Sequence, residues 1–212
     1  MELIAQIMDI FLHLDQYLGT FIRDYGSWIY LLLFLIVFAE TGLVVMPFLP
    51  GDSLLFVTGT LAAAGGMDVA WIMATLIAAA FCGDNTNYWV GHHLGPRVFR
   101  NHRSRLLNPK HLEHAQHFYE RHGAKAVVIG RFLPIIRTFV PFVAGVGRMP
   151  YGRFLAYSVF GTLLWVISFV LAGYFFGNIP VVKRNLTFVI LLIIVVSLLP
   201  GIIEYWRHRR RS

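Results

Sequence analysis

The chain has 212 residues, 57% of them hydrophobic and only 14% charged, with 18 Lys and Arg against 11 Asp and Glu for a formal net charge of +7. Soluble domains are roughly 45–50% apolar, so this composition and a mean hydropathy of +0.64 exclude an ordinary soluble domain and point to an integral membrane protein. The positive balance does not mark a nucleic-acid binder, because the basic residues sit in short runs beside apolar segments, the pattern that orients a membrane protein.

Residues 1–27 place Glu2, Gln6, Asp9, His13 and Gln16 near a helical period against Leu3, Ile10, Leu14 and Leu18, which predicts an interfacial amphipathic helix. The basic head and small-residue cleavage site of a secretory signal are both missing. Segment 28–45 is apolar and, at ~1.5 Å per residue, long enough to cross most of a ~30 Å hydrocarbon core. Trp28 and Tyr30 suit its interfacial end. Pro47 and Pro50 stop it, and the glycine-rich stretch that follows is too short to span, so 47–66 is expected to be a re-entrant hairpin. Segment 70–94 crosses once, with Asp84, Asn85 and Asn87 facing protein or water and the two asparagines offering Asp84 local partners. Its Cys82 is the only cysteine, which rules out an intrachain disulfide and reads as a buried structural thiol.

Residues 97–125 hold seven Lys and Arg against Glu113 and Glu120 and cannot cross. They read as a cytoplasmic surface helix, started by Asn108-Pro109 and stopped by Gly123. His111, His114 and His117 lie three apart there but drift around the face with no definite carboxylate or thiol partner, so no metal is expected. Segment 126–149, broken by Pro134 and Pro141, again reads as re-entrant. Segments 154–176 and 186–206 read as spans, and 207–212 is a basic tail. The positive-inside rule puts 97–125 and the tail in the cytoplasm, and the N-terminus with them. The predicted architecture is all-α: four transmembrane helices and two re-entrant hairpins in one membrane domain.

The order repeats. Phe48-Leu49-Pro50 recurs 84 positions later as Phe132-Leu133-Pro134, and Gly91/Gly95 recur 82 positions later as Gly173/Gly177. The first repeat is 28–95 and the second 126–177. One crossing separates the hairpins, so they open from opposite faces as inverted repeats, an arrangement that places a transport site at the repeat interface near the midplane. The GxxxG pairs allow close helix packing, within the subunit in preference to homo-oligomer formation.

Glu40 and Asp52 flank the first break, and Arg131 and Arg137 flank the second. An ionised group at the bilayer centre costs about 2.5–3.5 kcal/mol on insertion scales, so these four must pair or line a wet cavity. The pattern Glu40-x-Gly42, Pro50-Gly51-Asp52, Gly130-Arg131-Phe132-x-Pro134-x-x-Arg137 and Gly161-x-x-x-Trp165 resembles the DedA family of bacterial inner-membrane proteins, which shares a domain with eukaryotic lipid scramblases. The resemblance covers nearly the whole chain and is close to the founding DedA subgroup. It implies paired re-entrant hairpins, lipid translocation and proton coupling, with the family's acidic pair at Glu40 and Asp52 and its arginine pair at Arg131 and Arg137. Undecaprenyl phosphate and phosphatidylethanolamine are both lipids of the family.

With Pro134 breaking the backbone between them, both arginine forks are expected to turn toward one spot and grip phosphate oxygens bidentately. Glu40 is the preferred proton carrier, since its charge would switch with headgroup occupancy. Asp52 either shares that work or caps the helix after Pro50 and Gly51. Asp84 is an accessory candidate, and Pro50, Gly51 and Pro134 are hinge candidates. The expected function is proton-coupled movement of a lipid, undecaprenyl phosphate ahead of other phospholipids because its monoester carries more charge. No cofactor is expected. A lipid phosphatase is disfavoured because neither predicted hairpin contains a histidine. A proton-coupled exporter of small cations or drugs remains open, with Glu40 and Asp52 as its cation ligands.

Overall fold

The computed structural model describes residues 14–43, 51–98, 116–117, 119–177 and isolated positions between 179 and 192, and every regular element among them is helical. In chain order these are α1 (Leu14–Tyr25), α2 (Trp28–Gly42), α3 (Gly51–Ala63), α4 (Val69–Val98), a short α5 (Ala126–Ile129) between 3-10 turns at Gly123–Lys125 and Gly130–Phe132, α6 (Pro134–Val146) and α7 (Tyr151–Phe176). Pro47, Pro50, the Asn108-Pro109 start, His111, His114, most of the expected span 186–206 and the tail 207–212 lie outside the described residues.

Local chemistry sets the boundaries. Gly65, at φ +82°, lets the chain reverse after α3. The Asp68 carboxylate then caps α4, accepting from the Ala70 and Trp71 N–H groups at 2.8 and 3.0 Å. Leu133 precedes a proline and is extended (φ −117°, ψ 103°), so the helical run from 126 stops there and restarts with Pro134 in the first turn of α6.

Two helices, at Val69–His93 and Tyr151–Phe176, are long and apolar enough to cross a membrane. The segment expected to span at 28–45 holds a shorter apolar helix. Tyr30 Oη accepts from the Asp68 N–H at 3.2 Å where α2 and α4 both begin, and Gly42 at the end of α2 abuts Gly83, the middle of α4. Helix α2 therefore runs beside only the first half of α4. Its 15 residues extend about 22 Å, and Leu43 leaves the helix in an extended conformation. Helix α3 returns, ending where Gly66 lies beside Ile22 of α1.

Internal symmetry is written in the packing. Gly59 of α3 lies against the Val170 carbonyl and Gly173 of α7 against the Phe56 carbonyl. The same relation recurs between α6 and α4, where Gly145 meets the Tyr88 carbonyl and Gly91 the Phe142 carbonyl. These contacts map α3 onto α6 with an offset of 86 and α4 onto α7 with an offset of 82. The register of α3 on α6 thus differs from the 84 read off the shared Phe-Leu-Pro. Both contacting pairs run parallel, and α3 and α4 are joined by a reversal, so carrying one pair onto the other inverts chain direction. Gly91 and Gly173 are used inside the subunit. A methyl at any of the four glycines would meet backbone, and overpacking of this kind costs typically 1–3 kcal/mol. Gly59→Ala and Gly145→Ala, as symmetry mates, are expected to lower the unfolding free energy in micelles by similar amounts. Gly19→Ala, inside α1 with open space around it, should not lower it and, as the better helix former, should raise it by up to about 1 kcal/mol.

Burial departs from that of a soluble protein: the interior is mostly apolar but also holds charge, and the exterior is apolar as well. Trp28, Leu31 and Leu35 of α2, Trp71 of α4, and Phe160, Leu164 and Phe175 of α7 are exposed, whereas Glu40, Asp52, Asp84, Arg131 and Arg137 are buried. An apolar exterior this extensive is suited to lipid. Cys82, expected to be buried, is exposed on α4.

Candidate functional site

Five charges buried among the described residues meet where helices end or cross their midpoints. Glu40 lies in the last turn of α2, Asp52 in the first turn of α3, Asp84 at the middle of α4, Arg131 in the turn before the Leu133 break, and Arg137 in the first turn of α6. None is more than 6% exposed.

They form two clusters, and the arginines do not share one set of partners as the sequence predicts. In the first, Arg137 donates through Nη2 to Glu40 Oε1 and through Nη1 to Asp52 Oδ1, the latter at 2.7 Å. Trp165 Nε1 donates to the same Asp52 oxygen at 2.8 Å, and its ring centroid lies 4.9 Å from the Arg137 guanidinium carbon, within cation–π range. The Gly51 N–H donates to Glu40 Oε1 at 3.2 Å. A side chain at position 51 would collide with the Glu40 carboxylate, so Gly51 makes room for that carboxylate besides opening α3. Asp52 combines a place near the positive end of α3 with its pair to Arg137.

In the second cluster Arg131 Nη2 donates to Asp84 Oδ2 and lies 3.4 Å from Ser158 Oγ, whose hydroxyl donates to the same Asp84 oxygen at 2.6 Å. Asp84 is therefore a full partner in the site and is not satisfied by its neighbouring asparagines. Asn85 donates to the Phe81 carbonyl at 2.7 Å and accepts from Tyr151 Oη at 2.7 Å. Asn87 bridges the Thr41 and Thr138 carbonyls, tying α4 to the ends of α2 and α6. On the surface segment, His117 faces Glu120 at 3.8 Å, a carboxylate neighbour the sequence pattern does not single out.

Among the described residues several buried atoms have no hydrogen-bond partner: Nε and Nη1 of Arg131, Nε of Arg137 and Oε2 of Glu40. Most buried polar groups are satisfied, so unmatched guanidinium donors are a property of a site that can accept an anion. Three carboxylates against two guanidiniums give a formal charge of −1 when all are ionised.

The sequence pattern assigns Ser158 no role and Trp165 none beyond its motif. Their signal is a face of α7 on which Ser158, Gly161, Thr162 and Trp165 fall at helical spacing and are all buried. A buried indole needs an acceptor for its N–H, and Asp52 is that acceptor.

Comparison with known proteins places the chain by its sequence. The VTT domain model matches residues 49–175. Protein DedA of Escherichia coli (strain K12) is 50% identical across 100% of this chain and 98% of its own length. Uncharacterized membrane protein Rv0364 of Mycobacterium tuberculosis (strain ATCC 25618 / H37Rv) is 39% identical across 89% of this chain and 85% of its own. Inner membrane protein YqjA of Escherichia coli (strain K12) is 38% identical across 72% and 70%. No solved structure matches.

Proposed function

We propose, for a chain that belongs to the DedA family of VTT-domain membrane proteins, that it moves a lipid with a phosphate headgroup across the bacterial inner membrane, driven by protons and without covalent chemistry. The observation that carries this reading is the pair of buried arginines where α3, α4, α6 and α7 meet, one of which, Arg131, has two guanidinium nitrogens with no acceptor among the described residues. Arginine keeps its charge and matches phosphate geometry. Undecaprenyl phosphate is the preferred lipid because a phosphate monoester brings more charge and more free oxygens than a zwitterionic phospholipid.

In this reading α2 with α3, and α5 with α6, are two re-entrant hairpins entering from opposite faces. The first begins at residue 28, not 47. Residues 27 and 66 then share a face, so α1 lies opposite 97–125, on the outer side and not in the cytoplasm as the sequence predicts. Cysteines at Ser27, Ala64 and Arg121 in a Cys82→Ser background check this. Ser27→Cys and Ala64→Cys are expected to label from one side and Arg121→Cys from the other. Opposite-side labelling of the first two would rule out the hairpin.

The functional test is purified protein in vesicles with labelled undecaprenyl phosphate or phosphatidylethanolamine. The expected result is transbilayer movement of the monoester without phosphate release. Phosphate release that depends on Arg131 would favour a phosphatase instead. The extra carboxylate in the site favours a second reading, a proton-coupled exporter of small cations; cation efflux without lipid movement would select it.

A further inference from the structure

We propose that the two arginines divide the work: Arg131, seated on Asp84 and Ser158, grips the phosphate, while Arg137, closed by Glu40 and Asp52 over Trp165, joins the two hairpins and does not touch the ligand. This rests on the lipid-transport reading above and assigns roles within that same site.

Hydrogen-bond bookkeeping separates the two. Arginine has five N–H donors in a planar fork. Arg137 spends both terminal nitrogens on carboxylates, and only its Nε lacks an acceptor. Arg131 makes its hydrogen bonds through Nη2 alone, and both Nε and Nη1 lack acceptors among the described residues. A buried unmatched donor carries its full desolvation cost, and phosphate oxygens are the acceptors that fit a guanidinium fork.

Charge points the same way. Arg137 with two carboxylates is locally −1 when all are ionised, so an incoming anion is repelled there. Arg131 with Asp84 is neutral, and the Ser158 hydroxyl helps hold that carboxylate in place. Space agrees as well. The indole of Trp165 covers Arg137, whereas the residue beside Arg131 is Gly161, where a methyl would come within 3.1 Å of Nε. The glycine leaves the unmatched edge of Arg131 uncrowded.

The test uses full-length protein in detergent micelles and, as probe, a water-soluble ten-carbon prenyl monophosphate, with the matching alcohol as control and titration calorimetry as readout. Arg131→Lys is expected to weaken phosphate binding at least about tenfold, or about 1.4 kcal/mol. Arg137→Lys is expected to bind within about twofold of the parent yet lose lipid movement in vesicles. Gly161→Ala guards against misfolding of Arg131→Lys. It adds a better helix former, keeps every charge and crowds Nε, so weaker binding with unchanged thermal stability supports the assignment. Binding lost in Arg137→Lys but kept in Arg131→Lys and Gly161→Ala would overturn the division of labour while leaving the transport reading intact. Equal losses in both lysine variants would do the same. A parent protein that binds neither this probe nor a phospholipid would overturn both.

Discussion

Arg137→Met is expected to destabilise the protein by about 3–5 kcal/mol, the cost of leaving buried charge without its partner. Glu40 and Asp52 converge on this one guanidinium, so its removal brings two carboxylates together with no cation between them. Trp165 still donates to Asp52 and Gly51 to Glu40, but neither supplies charge. Denaturant unfolding in micelles measures the loss. The triple variant Glu40→Gln, Asp52→Asn, Arg137→Met removes all three charges and should recover most of the stability without recovering lipid movement, because burying neutral polar groups costs far less than burying unpaired ions. A single variant as stable as the parent would show that this cluster does not hold the hairpins together. A triple variant that still moves lipid would show that the cluster is structural only.

Much of this arrangement is legible in the amino-acid sequence. Charge and proline in apolar surroundings mark both breaks, since neither is tolerated in a bilayer without a partner or a cavity. The matching glycines at 91 and 173 reveal the repeat because each lets a backbone carbonyl of the other hairpin approach, a contact that no larger residue permits. What the sequence hides is pairing. Asp84 and Arg131 lie 47 residues apart, and Asp52 and Trp165 lie 113 apart. Which acid meets which arginine depends on how α4 and α7 register against the hairpins, and no periodicity encodes that. Where α2 ends is hidden for a related reason. Segment 28–45 is apolar enough to span, but its helix ends at Gly42, packed against Gly83 of α4.

Glu40→Gln is expected to separate binding from coupling. Three acids face two guanidiniums, so one proton on the Glu40 and Asp52 pair brings the five groups to formal neutrality while Arg137 keeps one ionised carboxylate. Glu40 is the better holder of that proton. Its Oε2 has no hydrogen-bond partner among the described residues, so a proton can sit there while Oε1 keeps its bonds to Arg137 and the Gly51 N–H. Glutamine preserves the size of the protonated side chain but can never release a proton. The variant should therefore fold, bind the prenyl monophosphate as the parent does, and equilibrate labelled lipid between leaflets. When a pH gradient is imposed across the vesicles, the parent should accumulate lipid in one leaflet while Glu40→Gln remains at the level of unenergised vesicles. Asp52→Asn, which weakens an anchor of Arg137, should lose both behaviours. Gradient-driven accumulation by well-folded Glu40→Gln would remove Glu40 from the coupling role and shift the proton to another of the three acids.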